Sequence, residues 1–177
     1  DFRFSLKASR QITHLKKLRK VEHDLEHLAF LAKQFRGKAG CLLYQLPPSL
    51  SKDLELLSSF LQVLPADFRH VIEFRHQSWY STDVYDLLSN YQVTLCIVSS
   101  GRFEPEVVIT SNLAYLRFHG LTGSYRYRYS DDELKKWSEI IARLQTEEAY
   151  IYFNNDYRAQ AVFNAMKLRE LLSASQV

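Results

Sequence analysis

The chain has 177 residues and a formal net charge of +3, with a sequence pI of about 8.8. Hydrophobic residues make up 46% of the sequence, which provides a folded core and excludes an intrinsically disordered chain. No apolar run approaches the roughly 20 residues of a membrane-spanning helix, and only five glycines argue against a glycine-rich phosphate loop.

Short strand-like runs alternate with longer helical patterns along the chain. Runs of β-branched and aromatic residues predict strands, and apolar residues three or four positions apart predict helices. The predicted strands are Phe2–Lys7, Cys41–Leu46, Val71–Phe74, Thr94–Val98, Tyr115–Phe118 and Ala149–Phe153. The predicted helices carry apolar stripes over residues 21–35, 54–64, 84–91, 134–144 and 161–172. Ser81 is the expected N-cap of the third helix, and Ser130 and Glu133 form the expected capping box of the fourth.

This alternation predicts an α/β fold with parallel strands and right-handed crossovers, in one domain over residues 1–177. A doubly wound open sheet and a closed barrel both satisfy the pattern, and periodicity does not choose between them. Both folds place functional groups at the carboxyl ends of the strands. The search for a site therefore begins with the residues that follow each strand.

Polar side chains follow most of the predicted strands, and we expect a functional site where they meet. The catalytic candidates are Lys7, Glu73 and His119, because a lysine at a strand end can hold an anion, and a buried carboxyl or imidazole can titrate near neutral pH. The candidates for ligand binding are His14, Gln45, Arg75, Trp79, Arg117, Tyr125, Asn154, Asn155 and Asp156.

Structural alternatives stay open for these candidates. Glu73 and Arg75 share a strand face and could form a simple ion pair, and His119 could be a hydrogen-bonded structural histidine. Asn155 or Asp156 could cap the last helix. Tryptophan at such a position is also more often a core residue than a stacking platform.

A metal site would need His14, Glu73, His119 and Asp156 to converge from different strands. Their local spacing matches no metal-binding motif, so the sequence assigns no metal ligand and names no cofactor.

Both cysteines, at positions 41 and 96, lie in apolar strand-like runs. We expect buried free thiols in a reducing, cytoplasmic location. The N-terminal residues lack the layout of a signal peptide, and a start other than Met is interpreted as a cut end.

In the segment 124–129, Ser124 is followed by alternating tyrosine and arginine. Bases can stack on tyrosine while arginine holds phosphates, but a loop with packed tyrosines and solvated arginines is the favoured interpretation. The basic run Lys16–Lys20 adds charge near His14 and is typical of an exposed helix start.

Several short motifs run the length of the chain. They are Phe4–Ala8, Ile12–His14, Leu43–Pro48, Glu73–Trp79, Tyr115–Gly120, Tyr125, Tyr129–Ser130, Tyr152–Asp156 and Ala161. In this order they resemble the YecE-like family, the domain of unknown function numbered 72. The resemblance implies a TIM-barrel-like fold. It also implies that two strand–helix units precede this region in the family, so we expect strands three to eight of an incomplete (β/α)8 barrel, N-terminally truncated, with self-association through its open sheet edges.

The family supplies no established reaction, so three hypotheses stay open, and whether the protein is an enzyme is uncertain. The first is a hydrolase or lyase on an anionic or phosphate-containing substrate, with Lys7, Arg75 and Arg117 holding the anion and Glu73 or His119 as general base or acid. The second is a nucleic-acid-binding or nuclease-like protein whose partner is single-stranded nucleic acid. The third is an inactive fragment.

Overall fold

The structure is a computed structural model that describes residues 2–102, 105–122 and 126–174. The strands are β1 (Phe4–Lys7), β2 (Ala39–Gln45), β3 (Arg69–Glu73), β4 (Thr94–Ser100), β5 (Leu113–Gly120) and β6 (Glu148–Phe153). The α-helices are α1 (Glu22–Lys33), α2 (Leu54–Gln62), α3 (Thr82–Asn90), α4 (Asp131–Ala142) and α5 (Gln160–Ala174). Each predicted strand and helix is present, with ends that differ by one to two residues in most cases.

The chain divides into two compact units, Asp1–Cys96 and Ile97–Val177. In the first unit β1 pairs with β2, β2 with β3, and β3 with the start of β4, all in parallel. Gln45 lies opposite Glu73 in this register. Parallel pairing places the carboxyl ends of β1, β2 and β3 along one edge of the first unit, which is the edge that the sequence predicts to be functional.

The core of the first unit contains a buried polar chain around Tyr44. The Tyr44 ring packs edge-on against Phe60 with centroids 5.1 Å apart. His70 Nε2 donates to the Pro65 carbonyl (2.8 Å), so its Nδ1 accepts from the Tyr44 hydroxyl (3.2 Å). Burial lowers the pKa of His70 below 6.5, although the Pro65 carbonyl opposes this change. His70 is therefore a neutral core histidine.

The second unit is organised around Phe118 on β5, which pairs in parallel with β6. The Phe118 ring stacks on Phe153 at 4.6 Å and meets Trp137 of α4 edge-on at 5.0 Å. Helix α4 begins with the predicted capping box, in which the Ser130 side chain accepts from the Glu133 N–H and the Glu133 carboxylate accepts from the Ser130 N–H. This local motif is confirmed in full.

Two local expectations need correction. Ser81 occupies the N-cap of α3, but its hydroxyl bonds the Asp83 carboxylate (2.6 Å) and makes no capping bond. The basic run Lys16–Lys20 does not start a helix, since α1 begins at Glu22 and Leu18 within the run has a φ of 68°. Leu18 is 3% exposed, so burial of its side chain outweighs the cost of this backbone conformation.

Large apolar side chains remain exposed on both units. Val162, Phe163 and Met166 of α5 are 57%, 59% and 56% exposed. A groove of about 340 Å³ lies between α5 and the half-exposed strand β6, lined by residues such as Ile151 and Leu168. None of the described helices is both long enough and apolar enough to cross a bilayer.

Candidate functional site

The first unit places a histidine beside two cations where β1 ends. Lys7 is the last residue of β1, and His14 lies in a π-helical turn, Gln11–Leu15, that follows it. π-Helical turns are rare and occur often at functional sites. Lys7 and Arg10 are exposed, and neither pairs with an acidic side chain among the residues that the structure describes.

The hydrogen bonds of Thr13 favour one tautomer of His14. The Thr13 hydroxyl donates to the Ser9 carbonyl (3.2 Å), so the Thr13 oxygen is available to accept from His14 Nδ1–H (2.8 Å). This assignment leaves a lone pair on Nε2, which can accept a proton. Desolvation lowers the pKa of His14 below 6.5, and the charges of Arg10 and Lys7 lower it further. At neutral pH the ring is uncharged and basic.

The loop after His14 has a strained backbone. Lys17, Leu18 and Lys20 have φ values of 47°, 68° and 51°, a conformation that side-chain-bearing residues adopt at a cost of roughly 1–2 kcal/mol each. The Lys16 ammonium bonds the Lys20 carbonyl (3.2 Å) and the Asp24 carboxylate (2.6 Å). These contacts hold the loop against α1, and they compensate part of the basic charge in this run.

A buried carboxylate links the ends of β2 and β3. Gln45 Nε2 donates to both oxygens of Glu73, at 3.1 Å each, and Glu73 is 0% exposed. Arg75 Nε forms a short ion-pair contact with Glu73 Oε1, and the Arg75 side chain is 17% exposed. Glu73 is therefore held on two sides, and it orients the Arg75 side chain at the strand end.

Trp79 lies in the core next to this pair. Its indole stacks on Phe74 at 4.7 Å with an angle of 7°, and its Nε1–H donates to the Leu50 carbonyl (2.7 Å). The residue is 0% exposed, and contacts within the core occupy both its ring face and its N–H group. The prediction that Trp79 binds a ligand stays untested, and its contacts are those of the structural alternative.

Another serine and histidine pair at the end of β3 has a local role. His76 Nδ1 accepts from the Ser78 N–H (3.2 Å) and from the Ser78 hydroxyl (2.8 Å), whose oxygen accepts from the Lys52 N–H (2.8 Å). These bonds cap the 3₁₀ turn Gln77–Trp79. This pair was not predicted, because a two-residue separation between histidine and serine gives no sequence signal of a cap.

In the second unit, the ends of β5 and β6 hold further candidates. Arg117 and His119 are half-buried on β5, and the Asn154 N–H donates to the Phe118 carbonyl (2.8 Å). The parallel ladder thus continues one residue beyond β6. Arg117, His119 and Asn154 consequently belong to one strand edge of this unit, as predicted from their positions after the strands.

Asn155 belongs to a buried amide network. Its Nδ2 donates to the Tyr127 carbonyl (2.8 Å) and to Asn164 Oδ1 (2.9 Å). Asn164 in turn bonds the backbone N–H and carbonyl of Tyr129, at 3.2 and 2.9 Å. The Tyr129 hydroxyl accepts from the Gly120 N–H (2.9 Å). The network ties the loop before α4 to the end of β5.

The turn between β6 and α5 presents an exposed basic and aromatic surface. Asp156 is exposed and makes no side-chain cap. Tyr157 is 42% exposed, and the guanidinium carbons of Arg126 and Arg158 lie 5.0 and 5.3 Å from its ring centroid. Tyr125, which was predicted to bind a ligand, lies outside the described residues.

Within the ranges that the structure describes, no group of three or more His, Cys, Asp or Glu side chains could hold a metal ion. The four residues considered for a metal site from the sequence are distributed over both units, with His14 and Glu73 in the first and His119 and Asp156 in the second. Cys41 and Cys96 are buried thiols that are not joined in a disulfide.

Comparisons with known proteins agree with the predicted fold class. The chain superposes on the crystal structure of a DUF72 family protein from Thermotoga maritima with a TM-score of 0.90 and 28% identity, over 98% of this chain and 74% of that one. A second DUF72 family protein, from Enterococcus faecalis, gives a TM-score of 0.81 at 22% identity, over 97% of this chain and 74% of that one. The predicted TIM-barrel-like array of parallel β/α repeats is confirmed by this likeness.

A sequence relative points to the same family. The UPF0759 protein YunF of Bacillus subtilis (strain 168) is 24% identical over 165 residues, which cover 77% of this chain and 58% of that protein. The matched region thus spans less than two thirds of that relative. The model of a family described as "Protein of unknown function DUF72" matches residues 1–177. The chain belongs to the DUF72 family, as its motifs predict.

Proposed function

We propose that the protein is a hydrolase or lyase that acts on an anionic substrate, with His14 as its general base. The observation that carries the proposal is the neutral His14 ring beside two cations, Lys7 and Arg10, that pair with no described acidic group. Unpaired cations attract an anionic group, and a bare imidazole nitrogen accepts a proton. The cations that attract the anionic group and the imidazole that accepts the proton therefore lie together at the end of β1.

In the hydrolytic form of the reaction, His14 Nε2 removes a proton from water while the water oxygen attacks the electrophilic centre of the substrate. The bond to the leaving group then breaks, and His14 returns the proton to it. Because Arg10 and Lys7 disfavour the imidazolium, the histidine releases the proton readily. The same cations stabilise negative charge that develops on the substrate.

Glu73 acts in this proposal as a positioning residue. Its carboxylate is 0% exposed and is occupied by Gln45 and Arg75, so it fixes the direction of the Arg75 guanidinium. A planar guanidinium held in this way suits bidentate contact with a carboxylate or phosphate. Arg117 and His119 of the second unit stay candidates for anion binding and acid–base catalysis, on the strength of their positions alone.

The test uses chromogenic esters with the full chain. We expect release of nitrophenol from p-nitrophenyl phosphate or bis(p-nitrophenyl) phosphate, with a rate that rises through a pKa below 6.5 and then levels off, since only neutral His14 is a base. His14→Gln should reduce kcat by about 10²–10⁴-fold, and Lys7→Gln should mainly raise KM.

The control variant is His23→Gln, which removes a histidine that is 95% exposed and pairs with Glu26. It should leave the rate and the pH profile unchanged. Two results would show that the hydrolase assignment is wrong. One is an equal loss of activity in His14→Gln and His23→Gln. The other is that the wild-type protein hydrolyses both esters no faster than His14→Gln does at every pH.

The other hypotheses have less support. Nucleic-acid binding through the basic run is weakened because Lys16 pairs with Asp24 (2.6 Å) and Arg19 with Asp53 (3.4 Å). Self-association through the open sheet edges stays a separate proposal, and the exposed side chains of Phe163 and Met166 on α5 add a further apolar surface. The buried thiols support the proposal of a reducing, cytoplasmic location.

A further inference from the structure

The turn between β6 and α5 carries buried acceptor atoms that have no donor. The side-chain oxygens of Asn154, Asn155 and Gln160 are buried and form no hydrogen bond with any described residue. An unsatisfied buried acceptor costs about 1–3 kcal/mol, and native proteins contain few of them. Three within the stretch 154–160 identify this turn as a place where a ligand can supply donors.

The orientation of the Asn155 amide is fixed by its neighbours. Its Nδ2 points to two acceptors, the Tyr127 carbonyl and Asn164 Oδ1. Asn164 cannot be reversed, because its own Oδ1 accepts from the Tyr129 N–H and its Nδ2 donates to the Tyr129 carbonyl. The Asn155 oxygen therefore has to face the unpartnered side, although the residue is 0% exposed.

Positive charge gathers on the outer side of the same turn. Arg126 and Arg158 lie over the ring of Tyr157, at 5.0 and 5.3 Å from its centroid. Two guanidinium groups on one ring repel each other, and neither forms an ion pair with a described acidic residue. A phosphate group placed between them would relieve this repulsion and accept charge-assisted hydrogen bonds.

The backbone that separates the arginines from the amide oxygens is strained. Arg158 and Ala159 have φ values of 51° and 59°, although neither is glycine. Consecutive strained residues persist where the surrounding structure imposes them, and they are concentrated at ligand sites and switches. Because Asn155 is 0% exposed, a ligand can reach its side-chain oxygen after a movement of the 3₁₀ turn Tyr157–Ala159.

We propose that this turn binds a phosphorylated compound that carries several hydroxyl groups, such as a sugar phosphate. Arg126 and Arg158 hold the phosphate, and the hydroxyl groups donate to the oxygens of Asn154, Asn155 and Gln160. The proposal does not depend on the hydrolase or lyase assignment, because it concerns binding by residues of the second unit alone.

The experiment is isothermal titration of the full chain with glucose 6-phosphate, glucose and inorganic phosphate. We expect glucose 6-phosphate to bind at least about tenfold more tightly than either of the other two, since only it satisfies both groups of residues. Arg126→Gln and Arg158→Gln should each weaken its binding about tenfold. Arg128→Gln, an exposed arginine of the same segment with no contact to Tyr157, should change it less than about twofold.

Three results would overturn the proposal. One is the absence of binding heat with glucose 6-phosphate, and another is an equal loss of affinity in Arg128→Gln. The third is tighter binding of a short oligothymidylate, which would assign the turn to nucleic acid. His14→Gln should bind glucose 6-phosphate as the wild type does, so that failure of this site and failure of the proposed chemistry are distinguished.

Discussion

The two strand-end regions satisfy their polar groups in opposite ways. In the first unit, both oxygens of the buried Glu73 carboxylate accept from Gln45, and one also pairs with Arg75. In the second unit, the Asn155 amide uses its nitrogen fully and leaves its oxygen without a donor. Gln45 and Arg75 hold the Glu73 carboxylate in one orientation, whereas the proposed ligand site of the second unit contains buried acceptors that lack donors.

The largest effect on the free energy of unfolding is expected when the pair of Glu73 and Arg75 is broken. Glu73→Gln removes the negative charge that faces Arg75, and Arg75 is only 17% exposed. Removal of one partner of a buried ion pair costs about 3–5 kcal/mol, so we expect a loss of that order in the free energy of unfolding. Chemical denaturation measures it.

The control for Glu73→Gln is Glu26→Gln, at a position that is 79% exposed. This variant should lose less than about 0.5 kcal/mol. An equally small loss for Glu73→Gln would show that the Glu73–Arg75 pair does not hold the strand ends together.

A medium effect on the free energy of unfolding is expected in the second unit, where hydrogen-bonded polar groups are compared with groups that lack a donor. Asn164→Leu leaves the Tyr129 backbone N–H and carbonyl without their Asn164 partner and removes one of the two hydrogen bonds of the Asn155 nitrogen, at about 1–3 kcal/mol for each buried group. Gln160→Met removes an oxygen that already lacks a donor, and it should be neutral or slightly stabilising. Thermal and chemical unfolding of the two variants give the comparison, which fails if Gln160→Met costs as much as Asn164→Leu.

The smallest effect tests the strained turn directly. Ala159 has a φ of 59°, so Ala159→Gly relieves steric strain and should raise the free energy of unfolding by up to about 1 kcal/mol. Ala161→Gly, two residues further on in α5, should lower it by about 1 kcal/mol. If both substitutions destabilise the protein to the same extent, the backbone at Ala159 is not strained.

Much of the fold follows from local sequence. The capping box at Ser130 and Glu133 was predicted from a three-residue spacing, because both of its bonds form within one turn. Strand β5 is longer than predicted and reaches Gly120, where the N–H donates to the Tyr129 hydroxyl. Such a contact between residues nine positions apart leaves no periodic signal, so strand ends are harder to predict than strand centres.

The candidate site was predictable to the level of strand ends and no further. Gln45 and Glu73 were identified because they follow buried strands, and the register places them opposite each other. The hydrogen bond between Thr13 and His14 depends on a π-helical turn that no local sequence pattern predicts. The positions of Arg126 and Arg158 around Tyr157 depend on non-glycine residues with positive φ, which propensity rules disfavour.

The protonation state of His14 is the most direct test of the proposed chemistry. Long-range ¹H–¹⁵N NMR spectra of the imidazole, assigned with His14→Gln, report which nitrogen carries the proton and the pKa of the ring. We expect a proton on Nδ1, a bare Nε2 and a pKa of His14 below 6.5. A proton on Nε2, or a pKa above 6.5, would contradict the assignment of His14 as the general base.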